Sequence, residues 1–144
     1  MTEILFYHGA NDRVQAAAAW LRKAWEQRHA VLVYAPDEAI GNQLDRMLWM
    51  QAPTGFLPHC HADSPLAGET PIVIANHFST LASLPQDERL LNLGDEVPPG
   101  FARFQTLIEI VSGEDLVRIP ARGRFKFYRE RGYEIHSKDL GGTV

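Results

Sequence analysis

The chain has a single cysteine, Cys60, among its 144 residues. It can form no internal disulfide and cannot supply a paired-cysteine zinc site, so a disulfide scaffold and a zinc-finger-like module are excluded. Long apolar runs are absent as well: nothing approaches the ~20 residues of a membrane-spanning helix. The opening Met1-Thr2-Glu3-Ile4-Leu5-Phe6-Tyr7-His8 lacks the basic and long apolar segments of a secretory signal. A reducing, cytoplasmic setting is the expectation, with no membrane partner. Phosphate-cradling loops are missing, since neither GxGxxG nor GxxxxGK[ST] occurs. There is no GxSxG nucleophile elbow. Positive charge is scarce overall, 14 Lys+Arg against 18 Asp+Glu for a net −4, which speaks against a protein that coats nucleic acid.

What is present reads as one globular domain spanning residues 1–144, 45% apolar and 22% charged. Ile4–His8 is an apolar strand, and Asn11 and Asp12 suit a helix start. Val14, Ala17, Ala18, Leu21, Ala24 and Trp25 recur at helical spacing, predicting an amphipathic helix over roughly 12–28. Ala30–Ala35 is a continuous apolar strand of the kind covered on both faces in a parallel sheet. Pro36-Asp37-Glu38 opens a second helix, whose buried stripe is Ile40, Leu44, Met47 and Leu48. Pro53-Thr54-Gly55 ends it, Phe56-Leu57-Pro58-His59 follows, and a polar loop runs to Glu69. Pro71–Ala75 and Leu90–Leu93 are further strands. Phe104–Val111 is strand-like, with room for a short helix at its start. Gly113–Arg131 reads as a last helix disturbed by Pro120 and Gly123, with Gly132 as its C-terminal cap. Tyr133–His136 is a closing strand, and Asp139–Val144 a loose tail. The βαβα opening predicts an α/β fold with a nucleotide-binding-like layout but no phosphate loop, and the turn at Pro36-Asp37-Glu38 would repel phosphate.

Three clusters could carry function. His59-Cys60-His61, with His8 and His77 elsewhere, has ligand types for zinc or copper, though not the spacing of common sites; a small metal-dependent enzyme is one alternative. Trp49, Met50, Pro53 and Phe56 are either core or an exposed interface patch. The third cluster is basic. Residues 1–100 hold 6 Lys+Arg and 12 Asp+Glu, whereas Arg118–Arg131 holds six bases and one acid, Glu130. At ~100° per residue, Arg118, Arg122, Lys126 and Arg129 share about an 80° arc, with Arg124 and Arg131 pointing away. The stripe reads as free of acid, Phe125 stands at its edge, and Val111 lies on the strand before it; Glu114 and Asp115 suit the helix start. Such a stripe fits a carboxylate-rich peptide with an aromatic anchor. It also fits single-stranded nucleic acid, with Phe125, Phe127 and Tyr128 stacking bases. An acidic body favours the peptide.

Three blocks, Leu44-Asp45-Arg46-Met47-Leu48-Trp49, Gly55-Phe56-Leu57-Pro58-His59 and Arg122–Tyr133, resemble the chi subunit of bacterial DNA polymerase III holoenzyme, and the likeness covers nearly the whole chain. The resemblance implies a three-layer α/β/α fold with a mixed, mostly parallel sheet and no nucleotide or other cofactor. It implies a non-catalytic adaptor of the clamp-loader assembly, acting in DNA replication and touching DNA only indirectly. Its partners would be the psi subunit and the acidic C-terminal tail of single-stranded DNA-binding protein, which ends in Pro-Phe with a free carboxylate. By that resemblance the tail falls on Val111, Arg118, Arg122, Phe125, Lys126 and Arg129, with Arg122 as the key carboxylate contact and Phe125 where a Tyr is common. Psi, or a repair helicase in its place, falls on Trp49, Phe56, Pro58 and His59.

Overall fold

The computed structural model describes residues 1–50 and 57–141. Its strands are β1 (Glu3–Ala10), β2 (Val31–Tyr34), β3 (His59–His61), β4 (Ile72–Ala75), β5 (Arg89–Asn92), β6 (Thr106–Ser112) and β7 (Ile135–Asp139). Its helices are α1 (Arg13–Glu26), α2 (Glu38–Met50), α3 (Phe78–Ser83) and α4 (Asp115–Glu130), with one 3-10 turn at Phe101–Arg103. The strands form one sheet in the order β3-β4-β2-β5-β6-β1-β7. Every pairing among the described residues is parallel. The α/β class therefore holds, and the sheet is parallel throughout rather than mixed. The closing strand β7 decides this: α4 carries the chain back across the sheet, so β7 lies alongside β1 in the same direction, Ile4 opposite Ile135.

Two apolar layers sandwich the sheet. Ala17, Ala18 and Leu21 of α1 and Leu44 and Leu48 of α2 pack on Val31, Val33, Ile72, Ile74, Ile108 and Ile110. On the opposite face Leu81 of α3, Phe101, Phe104, and Ala121 and Tyr128 of α4 pack on Ile4, Phe6, Leu32, Val73, Leu90 and Leu107. Central strands buried on both faces are what the unbroken apolar runs at 31–34 and 72–75 require. Asp12 caps α1 by accepting from the Gln15 N–H at 2.9 Å, and Asp37 does the same for α2 from Ala39 at 3.0 Å. Gly9, at φ 79°, sits where the β1–β6 register shifts.

Three elements depart from the sequence expectation. His59–His61, taken as loop, is a strand, held by pairing with β4 (Cys60 opposite Val73). Phe78–Ser83 is a helix too short for periodicity to reveal. Asp139 ends β7 instead of starting a tail, and the Leu140 N–H donates to the His8 carbonyl at 2.7 Å.

Candidate functional site

α4 begins after Glu114, whose carboxylate accepts from the Ser112 hydroxyl at 2.8 Å, and Asp115 occupies its first turn. The helix runs through Pro120 without a break. Proline removes the donor that the Leu116 carbonyl would have used, and Leu116 is exposed, so water can serve that oxygen. Gly132 takes φ 82° and ends the helix as its sequence position predicts. Its N–H donates to Arg129 O and that of Tyr133 to Tyr128 O, both at 3.1 Å, the paired bonds of a Schellman cap.

The outer face of α4 brings Arg118, Arg122, Lys126 and Arg129 together, all exposed. The stripe is not free of acid as expected: Asp115 lies one turn before Arg118 and pairs with it, and Lys126 reaches Glu130 at 3.9 Å. Exposed pairs of this kind contribute only ~0–1 kcal/mol. Arg122 has no acidic partner among the described residues. The Arg129 guanidinium stands 5.8 Å from the centre of the Phe125 ring. That ring is half-buried, edge-on to Phe6 at 5.2 Å between centroids. Val111 is buried behind it in the same apolar layer. Phe127 lies under the Arg131 guanidinium, 4.3 Å away. Tyr128 is fully buried, so it cannot stack a base, and the nucleic-acid alternative loses one of its three rings.

Behind this face lies a charged network that sequence reasoning missed. Glu109 of β6 is completely buried. Its Oε2 accepts from Arg124 Nε at 3.0 Å, the Tyr128 hydroxyl at 2.6 Å and Asn92 Nδ2 at 3.1 Å. Its Oε1 has Arg13 Nη2 at 3.9 Å, an ion pair beyond hydrogen-bond reach. Arg13 donates to the carbonyls of Ile110, Leu93, Asn92 and Gly94 at 2.9–3.3 Å. Burial lowers the Arg13 pKa to about 10, against the opposing pull of Glu109. Burial also raises that of Tyr128 far above its usual range, and the Glu109 carboxylate adds to the rise. The network fills the carboxyl ends of β5 and β6, the region where open α/β sheets commonly take ligands. One signal was available: Glu109 interrupts the apolar run Leu107-Ile108-Glu109-Ile110-Val111.

At the other end of the sheet, Trp49 is 57% exposed and Met50 also faces solvent. The Trp49 ring stands 4.9 Å from that of His59, which is buried, and Pro58 is half-buried. Phe56, like Pro53, lies outside the described residues. His59 Nδ1 donates to Leu57 O at 2.7 Å, while His59 Nε2 and His61 Nε2 lie 3.2 and 3.8 Å from Asp45 Oδ1. Alternation along β3 sends Cys60 to the opposite layer, beside Val73. The three donor atoms of His59, Cys60 and His61 therefore do not converge. Among the described residues the convergent trio is Glu3, Glu134 and His136, all exposed. A groove of about 490 Å³ lies between α1 and β7, lined by Tyr7, Trp20, Lys23 and Lys138 among others, none of them an expected site residue. Among the described residues no helix is long and apolar enough to cross a membrane.

Residues 1–136 match the family described as DNA polymerase III chi subunit, HolC. The chain is 33% identical to the DNA polymerase III subunit chi of Pseudomonas aeruginosa, over 97% of this chain and 98% of that one. It is 28% identical to the chi subunit of Haemophilus influenzae over 81% of this chain and 80% of that one. With the chi subunit of Escherichia coli K12 the figures are 27%, 78% and 76%.

Proposed function

This chain belongs to the DNA polymerase III chi subunit family, and from that premise we propose that it is a non-catalytic adaptor whose α4 holds the acidic tail of single-stranded DNA-binding protein while the Trp49 end of α2 holds psi. A replication accessory role within the polymerase III holoenzyme comes with the family; the two partner sites are the further step.

One observation carries the α4 assignment. Arg122 is a cation in mid-helix with no acidic partner among the described residues, one turn from the half-buried Phe125 ring. A planar guanidinium grips a carboxylate with two hydrogen bonds, and a ring fills the apolar contact beside it. Lys126 and Arg129 extend the field, and the weak pairs at Asp115 and Glu130 yield to a multivalent acidic ligand. Binding of this kind is steered by charge and weakens as salt rises. The adaptor then works by effective concentration: holding two partners at once raises the local concentration of each for the other without any bond being made or broken.

The second surface is supported by Trp49, more than half exposed beside His59 and Pro58. Large exposed rings at a helix end have the character of interface anchors. Phe56 belongs to the same proposal.

Titration calorimetry with an acidic peptide ending in Pro-Phe tests the first site. Arg122→Ala should weaken binding at least tenfold and leave the fold intact; unchanged affinity sinks the assignment. Trp49→Ala should lose psi in a pull-down and retain the peptide.

A further inference from the structure

The His59 side chain is 1% exposed, and its Nε2 has no hydrogen-bond partner among the described residues. The other ring nitrogen is committed. Nδ1 carries the proton that it donates to the Leu57 carbonyl at 2.7 Å, because a carbonyl only accepts. Nε2 of the neutral ring is then a bare lone pair, and the Asp45 carboxylate faces it, Oδ1 at 3.2 Å. At that distance a hydrogen bond would form if the two groups pointed at each other, and they do not. His61 adds a third donor. It lies two residues along β3, so it projects from the same face as His59, and its Nε2 is 3.8 Å from the same Asp45 oxygen.

We propose that Asp45, His59 and His61 form a site for one zinc-type divalent cation, with Asp45 and His59 preset and His61 turning in to complete the set. His61 is free to turn, its side chain being 35% exposed. Ligands at about 2.0–2.2 Å around a tetrahedral zinc ion stand about 3.4 Å apart and aim at the ion instead of at each other. The 3.2 and 3.8 Å separations bracket that spacing, and a shared centre accounts for the missing hydrogen bond. A backbone carbonyl that takes the second ring N–H is also how a ligating imidazole is held in place. Two imidazoles and one carboxylate suit zinc better than magnesium or calcium, which take oxygen. His61 also lines a polar cleft of about 360 Å³ with Asn42, Asp63 and His77, which gives water a route to a fourth position. Cys60 takes no part, since it projects to the opposite layer. The exposed trio of Glu3, Glu134 and His136 is the competing site, but it has no buried donor left without a partner. The inference does not depend on which partner the neighbouring Trp49 surface holds.

Calorimetric titration of zinc chloride into the chelator-treated full chain tests this. Wild type should take up one zinc per chain at the proposed site. His61→Ala and Asp45→Asn should each weaken that binding at least tenfold, while unfolding in urea as cooperatively as wild type. Cys60→Ser and His136→Ala should bind as wild type does. Cobalt bound in place of zinc reads the donors without any variant, and its spectrum should lack a thiolate charge-transfer band. Failure of wild type to bind zinc overturns the inference and leaves Asp45 and His59 an ion pair alone. Unchanged affinity in either ligand variant overturns it too. So does a thiolate band, or loss of binding in His136→Ala, either of which puts the ion on other donors.

Discussion

Arg122 and Arg124 stand two positions apart on one helix in opposite surroundings. Two residues turn an α-helix by about 200°, so Arg122 faces water with no acidic partner among the described residues while Arg124 is buried against Glu109. The basic run at 118–131 thus does two jobs. Five of its cations are exposed, four of them on the stripe proposed to hold an acidic ligand; the sixth joins Arg13, Asn92 and Tyr128 in a clamp on one carboxylate. The difference teaches that the clamp is what makes the surface a defined one. It ties α4 to β6 and to the start of α1, and so fixes which side of the helix the remaining cations present.

The comparison breaks hardest at its buried side. Glu109→Ala leaves two guanidiniums without their counter-charge and should cost about 3–5 kcal/mol in urea unfolding; a loss under ~1 kcal/mol would mean that the clamp contributes little. Next is Tyr128→Phe, which removes a hydrogen bond to an ionised group and should cost about 1.5–3 kcal/mol at pH 7. Its pH dependence is more telling. The folded-state pKa of Tyr128 is raised, so the stability it gives is full below its unfolded value near 10 and is lost as pH climbs above that. Arg13, lowered to about 10, has the opposite sign in the same window, regaining stability with rising pH. Comparing the two proteins isolates Tyr128: the deficit of the Phe variant should narrow from about pH 10 to pH 11.5. A constant gap would refute the assignment of the shift.

Smaller effects sharpen the exposed side. Gly123→Ala should stabilise the protein by about 0.5–1 kcal/mol, since the site is open and helical; a destabilised variant would mean that the position is not free inside the molecule. Smallest is Arg122→Ala, expected within about 0.5 kcal/mol of wild type in the same unfolding assay. A larger loss would make Arg122 a structural residue like its neighbour.

Legibility in the sequence followed the same division. Periodic and continuous apolar patterns report burial directly, so β2, β4, α1 and α2 were readable, and so was the exposed arc of α4, whose residues are near in sequence. The clamp was not, because Arg13, Asn92, Glu109 and Arg124 come from four distant elements and meet only after the sheet has formed. Strand β3 escaped for a related reason: three residues of mixed polarity have no pattern of their own, and pairing with β4 makes them a strand. The direction of β7 depends on how α4 crosses the sheet, which no local signal encodes. Asp115 was placed at the helix start but not counted on the stripe, although one helical turn separates it from Arg118.

Strand β1 lies between β6 and β7. Its hydrogen-bonded neighbours begin at Thr106 and Ile135, about a hundred residues later in the chain. During synthesis Ile4 and Phe6 wait until the residues from Thr106 onward have been made before a strand can pair with them, and closing so long a loop slows folding. Folding therefore finishes where it began in sequence, and a ribosome-bound chain halted before Thr106 should expose β1 to chaperones or to another chain's sheet edge.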